Sequence, residues 1–280
     1  MNYLLNLSKY NVKLILNEYV SYKITIMKIN EKKFVSFLNS LKIKEKFIIL
    51  HVTLINHPSL IDNIEKFWSL IFLGLGKDKT YIVPTFNLNY ARKKYWNPLS
   101  SKSQSGYFSE YFRKNIGSRR TLHPMHSVSI YGLNDKKIPE HLSKSSFGKK
   151  STWEWICNRK DICNLSIGVS VAGGATFLHY SEESLKVNYR YYKKLFGIIN
   201  LKKKKIKNNI FYFARKILNN KMPINEWGKP QHDLIKNKIL KKYKFQNIPF
   251  YKMNTYKATQ FIVTKIKKNP NYLVKFIKLS

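Results

Sequence analysis

The segment SIGVSVAGGATFLHYSEE, residues 166–183, holds the residue types best suited to chemistry, with His179 and Glu182 three positions apart just after an apolar run ends. If residues 176–185 form a helix, this spacing puts both side chains on one face, one turn apart. A histidine, with a reference pKa of about 6.5, takes up a proton near neutral pH. A carboxylate beside it orients the ring and stabilises its charged form. Thr176 stands where such a helix would be capped, and Gly173 and Gly174 let the backbone approach a ligand ahead of the helix N-terminus. The same residues also suit a capped surface helix with a solvated His–Glu pair, and the motif by itself leaves both readings open. Ser59, Ser151 and Ser184 sit in no nucleophile elbow, and neither cysteine has a histidine beside it, so no covalent intermediate is expected. Cys157 and Cys163, six apart with no second pair, do not complete a zinc site; reduced thiols and no metal are expected.

Several elements must position these residues. Phe34, Phe37, Leu38 and Leu41 recur at helical spacing within residues 31–42, and residues 61–75 repeat that pattern. KFIILHVTL (46–54) reads as a buried strand whose carboxyl end carries His51 and Thr53. A second strand over 80–88 closes on Pro84 and Thr85, and two more are expected over 126–132 and 161–169. Strands alternating with helices imply a layered α/β fold, in which ligands sit outside the carboxyl ends of the strands. No repeat of 20 to 50 residues occurs. The run LKKKKIK (201–207) reads as a solvated loop or helix face.

At 280 residues and 44% hydrophobic content the chain can form a real core, as one large α/β domain or two small ones. SLIFLGLG (69–76), among its longest apolar runs, is far too short to span a bilayer. The first twenty residues lack a basic segment followed by a clean apolar one, so a soluble, cytoplasmic protein is expected. Lys and Arg number 52 against 15 acidic residues, a net charge of +37. Taken alone, this suggests a nucleic acid or anionic surface as partner. The excess is nearly all Lys, accompanied by abundant Asn, Ile, Tyr and Phe, residues whose codons are rich in A and T. Arg, whose planar fork suits base and phosphate recognition, is sparse. Nucleic-acid binding is therefore not expected as the main role.

Six collinear stretches together carry a resemblance: FIILHVTL (47–54), YIVPTFNLNY (81–90), FRKNIGSRRTLHPMHSVSIYG (112–132), SSFGKKSTWEWI (145–156), IGVSVAGGATFLHYSEE (167–183) and VNYRYYKK (187–194). They resemble the aminoglycoside 3-N-acetyltransferases, which move an acetyl group from acetyl-CoA to a sugar amine and are distinct from the GNAT acetyltransferases. The resemblance implies an α/β/α sandwich around a mostly parallel or mixed sheet, with residues 27–280 as a single acetyltransferase domain. Residues 1–26 then form a peripheral extension or a mis-assigned start before Met27. It implies His179 as the catalytic base, with Glu182 orienting it or gripping a substrate ammonium. It places His51, Thr53, Thr85, Thr121, His123, Ser127 and Thr176 along acetyl-CoA. Arg119 or Arg120 beside them suits its phosphates, since phosphates favour guanidinium donors; the other reading is that His123 braces a Pro turn and the arginines are solvated. Glu183 and Arg190 fall on the substrate side, Arg190 being free to pair with Glu182 or Glu183 or to meet a phosphate. His126 lies outside the matched positions and reads as structural. Thr53 stands where the family usually has Ser, which keeps the hydroxyl.

Direct transfer through a ternary complex to a small-molecule amine, an amino sugar, follows from the resemblance, with antibiotic resistance as the family's known role. A homodimer stays open. The competing readings are a catalytically silent relative and a basic protein that binds nucleic acid or an anionic membrane. Residues 184–225 contain no Asp or Glu but many lysines. A cationic field there favours an anionic acceptor, such as a nucleotide-linked or lipid-linked amino sugar, over a polycationic drug.

Overall fold

The computed structural model describes residues 30–54, 63–170, 174–202 and 204–279, so the expectations for residues 1–26, Met27, Ser59 and Gly173 lie outside the described residues. Its centre is a seven-stranded sheet with the order β10-β11-β6-β1-β2-β5-β4. The strands are β1 (Phe47–Val52), β2 (Thr80–Pro84), β4 (Arg119–Arg120), β5 (Val128–Gly132), β6 (Ile162–Ile167), β10 (Leu240–Phe245) and β11 (Ile248–Asn254). Only β6, β1 and β2 run parallel to one another, while β5 on one side and β11 on the other return antiparallel, so the sheet is mixed.

The sandwich follows from side-chain alternation. Every residue of β1 is buried. Phe47 and Ile49 enter one core with Trp153 and Ile156 of α5 (Thr152–Cys157), Phe177 and Leu178 of α6 (Phe177–Ser184), and Ala258 and Ile262 of α8 (Thr255–Lys268). Ile48 and Leu50 enter the opposite core with Phe34 and Leu38 of α1 (Glu31–Ser40) and Phe67, Trp68 and Ile71 of α2 (Ile64–Leu75). A strand covered on both faces needs an unbroken apolar run, and FIILHV supplies it apart from His51. Polar flanks start the helices: the Asn30 and Asn63 side chains accept from the amides of Lys33 and Lys66 at the N-termini of α1 and α2.

The expected strand ends contract in the structure. Thr53 and Thr85 fall just beyond β1 and β2, and β5 begins at Val128 because residues before it turn around His123. The lysine run differs more. A turn at Lys202 joins β7 (Arg190–Leu201) and β8 (Lys204–Arg215), which pair antiparallel along their whole length, from Arg190↔Arg215 to Leu201↔Lys204. Their inward residues Ile199 and Ile210 pack with Tyr90, Trp96 and Met125 in a third core. β3 (Tyr95–Trp96) adds beside β7, after the short α3 (Tyr90–Lys93). Cross-strand pairing supplies what local periodicity lacks, so this run is the end of a β-hairpin rather than a helix face. The remaining elements are α4 (Tyr107–Tyr111), continued by a π-helical turn to Ile116, α7 (Gly228–Lys236), and the pair β9 (Lys221–Asn225) and β12 (Val274–Lys278). Among the described residues no helix is long and apolar enough to cross a membrane.

Candidate active site

α6 carries His179. Phe177, Leu178 and Ser181 are buried, which leaves His179 half-buried at the helix N-terminal end. Its Nδ1 lies 2.7 Å from Oε2 of Glu182, one turn on. Glu182 is 0% exposed. Burial alone would raise its pKa, but the hydrogen bond and charge of His179 and the charge of Arg190 hold it below the usual carboxylate range. An ionised carboxylate only accepts, so Nδ1 carries the hydrogen and Nε2 is left as the lone-pair nitrogen.

Both carboxylate oxygens are occupied. Oε1 accepts from the Tyr189 hydroxyl at 3.0 Å, and Nη2 of Arg190 approaches Oε2 at 2.9 Å as an ion pair. Arg190 is itself buried and donates from Nη1 to the Phe213 carbonyl. It therefore supports Glu182 instead of facing a phosphate or substrate. Glu183 is likewise buried and turned away. Ser145 Oγ donates to its Oε1, the Phe147 amide reaches Oε2, and burial raises its pKa. Phe147 and Trp227 enclose the imidazole, with ring centroids 5.3 and 5.8 Å from it.

The expected CoA residues separate into two groups. His51, Thr53 and Thr176 line a cleft of about 190 Å³ outside the carboxyl ends of β1 and β2, together with Phe86 and Ser109. Thr176 makes no capping hydrogen bond; its backbone is already helical, so its hydroxyl does not face the free amides of α6. Gly174 packs against the strand ends, where a Cβ would strike Ser166 Oγ and sit 3.4 Å from the His51 Cβ. The close approach that requires this glycine is to the protein's own strands. Burial lowers the pKa of His51 to about 4, and its Nε2 is buried without a partner.

The second group is a buried polar brace. Arg120 donates to Ser127 Oγ and to the carbonyls of Thr85 and Ser101, and Ser127 Oγ donates to the Thr85 carbonyl. Thr121 Oγ1 accepts from the Val128 amide, and Thr85 Oγ1 donates to the Ser127 carbonyl. Arg119 reaches the carbonyls of Asp135 and Ile138. Both guanidinium groups thus serve backbone carbonyls, while Nε and Nη1 of Arg119 are buried without a partner. His123 Nδ1 accepts from the amides of Met125 and His126, and burial lowers its pKa to about 3. It braces the turn as a neutral ring.

The sequence reading missed Tyr189, Phe147 and Trp227 as neighbours of the His179–Glu182 pair. Tyr189 follows the end of α6 closely enough to be found from a short return turn; the other two come from distant segments and leave no local signal. His126, expected to be structural, stacks on Tyr212 and contacts Phe147, with Nδ1 2.9 Å from Ser146 Oγ. Cys157 and Cys163 are free, buried thiols whose pKa values burial raises, which fits neither nucleophile nor ligand.

A mixed sheet between two helical layers, with a strand-end cleft and a carboxylate-backed imidazole nearby, defines an α/β protein of a fold shared with solved acetyltransferase structures. AAC-IIIb in binary complex with CoASH superposes with a TM-score of 0.73 at 14% identity, covering 86% of this chain and 97% of that one. Sisomicin-bound AAC-VIa gives 0.72 at 14%, over 86% and 99%. The YokD protein from Bacillus subtilis gives 0.69 at 14%, over 88% and 96%. No curated protein matches the sequence. The family follows from the sequence match: the aminoglycoside 3-N-acetyltransferase model covers residues 78–267, and the chain belongs to that family.

Proposed function

We propose that the protein transfers an acetyl group from acetyl-CoA to a primary amine of an amino sugar, with an anionic surface-polysaccharide precursor rather than a drug as the natural acceptor. The observation that carries the transfer reading is the His179–Glu182 pair, whose carboxylate is buried, ionised and held on both oxygens. Acetyl-CoA supplies an activated acyl carbonyl, and the acceptor supplies a neutral nitrogen. Nε2 of His179 takes the proton that the nitrogen sheds as the C–N bond forms and the C–S bond breaks. Glu182 keeps Nε2 aimed outward and stabilises the imidazolium that results. Phe147 and Trp227 limit water around the ring, which strengthens that charge pairing. His51, Thr53 and Thr176 line the cleft that suits the acyl donor's arm, with His51 Nε2 as a free polar atom beside it.

Thiol release from acetyl-CoA, followed with no amine, with kanamycin-type drugs and with nucleotide-linked amino sugars at low and high salt, tests the reading. Release is expected only with an amine, fastest with the anionic acceptors, and falling with salt as screening removes the attraction. Amine-independent release, or none with any amine, would overturn transfer. Faster turnover of the drugs would overturn the acceptor class.

A further inference from the structure

The outer face of the β3-β7-β8 sheet carries an open groove of about 770 Å³ that the catalytic account does not use. That volume falls within the range of small-molecule sites, roughly 300 to 1,000 Å³. Lys93, Lys94, Lys144 and Lys207 stand around it, Tyr95 and Phe196 provide rings, and none of its lining residues is acidic. The rings are unusually bare, Phe196 being 59% exposed and Tyr95 42%. They are also held in place. The Lys194 ammonium sits 4.8 Å from the Phe196 ring centroid, and Asn200 Nδ2 donates to the Tyr95 hydroxyl at 3.2 Å. The floor is fixed by Gly197, where a Cβ would lie 2.6 Å from both the Lys94 carbonyl and the Tyr90 hydroxyl.

Exposed rings beside several ammonium groups match a ligand that joins a flat aromatic base to phosphates: the base stacks, and the phosphates take the lysines. A symmetric pairing of two copies through this face does not fit, because it would bring the same lysines to face these. One rim of the groove is joined to the His179 site through the chain. Lys144 lies three residues before Phe147, whose ring contacts His179, so at most about 11 Å of backbone separates them. Between them, Ser145 holds Glu183 of the helix that carries His179.

We propose that this groove binds the nucleoside diphosphate end of a nucleotide-linked amino sugar and so delivers the sugar amine to His179. Delivery rests on the acetyl-transfer reading; nucleotide binding does not. The test is calorimetric titration of the full chain with uridine diphosphate, adenosine diphosphate, inorganic pyrophosphate and oligothymidylates of increasing length, at two salt concentrations. A nucleoside diphosphate is expected to bind at least about fivefold more tightly than pyrophosphate, because stacking adds roughly 1–3 kcal/mol per base. Lys144→Glu with Lys207→Glu, at exposed positions, is expected to weaken binding more than tenfold, and Phe196→Ala about fivefold or more. Should the double variant fail to fold, Lys207→Ala alone must still weaken binding. His179→Ala is expected to bind the nucleotide normally. Unchanged binding in the lysine variants, or no binding of either nucleoside diphosphate, would overturn the proposal. So would affinity that climbs with oligothymidylate length through the same residues. If the nucleotide binds through the groove while no amine is acetylated, the groove assignment stands and the transfer reading falls; amine acetylation without nucleotide binding gives the reverse.

Discussion

Glu182 keeps a charge at a fully buried position. Its neighbours His179, Arg190 and Tyr189 together offset the cost of burying the charge, so it stays ionised where burial alone would protonate it. Replacing it with Gln removes the charge that stabilises an imidazolium and leaves the buried Arg190 without its partner. Glu182→Gln is therefore expected to lower kcat by about 10- to 100-fold with little change in KM, a smaller loss than removal of the base. Steady-state kinetics on the folded variant would contradict this role if kcat were unchanged. The His179–Glu182 pair was legible in the sequence because both residues lie within one turn of helix. Arg190 was legible only as a set of options, since a guanidinium's partner is a tertiary fact. The same limit explains Arg119 and Arg120: their types suit phosphates, but the chain turns them onto carbonyls of residues up to thirty-five positions away.

At the scale of elements, the helices and the central strands were visible because their burial is local and periodic. The hairpin was hidden because its outer side mixes lysines with the bare Phe196 and Ile198, which blurs the alternation, and its stabilising partners lie across the turn. Close contacts between elements were hidden as well. α1 and α2 approach so nearly at Gly74 that a Cβ there would lie 2.7 Å from the Leu38 Cβ. Gly74→Ala must push the helices apart, and overpacking of this kind costs about 1–3 kcal/mol. The gain of about 1 kcal/mol in helix propensity offsets part of that. Urea denaturation is expected to show net destabilisation; a variant as stable as the parent would mean that the helices are looser than described.

For the molecule as a whole, the response to acid is set by the three histidines buried among the described residues. Burial lowers the pKa of His51 to about 4 and of His123 to about 3, and takes His126 well below its ordinary value. Below about pH 6.5 the unfolded chain binds protons at these rings that the folded chain refuses, so stability must fall as pH falls. The slope reaches about 1.4 kcal/mol per pH unit for each ring, and the loss continues to about pH 4 for His51. Glu182, with its lowered pKa, acts in the same direction at lower pH. Denaturation midpoints measured from pH 7 to 4 are expected to drop steeply below 6.5; a flat profile would show that these rings admit protons while folded. None of this was readable from the sequence, where a histidine at a strand end and one in a turn look equally free to titrate. The net charge of +37, by contrast, was plain in the sequence, while the gathering of Lys93, Lys94, Lys144 and Lys207 around one groove was not.

The central claim is that His179 is the proton acceptor in acetyl transfer. Its most direct test is the rate of thiol release by His179→Ala with saturating acetyl-CoA and the best amine found for the parent protein, beside the variant's affinity for CoA. The account predicts a fall in kcat of roughly 100- to 10,000-fold, with CoA affinity and melting temperature nearly unchanged. Turnover close to that of the parent protein would contradict it.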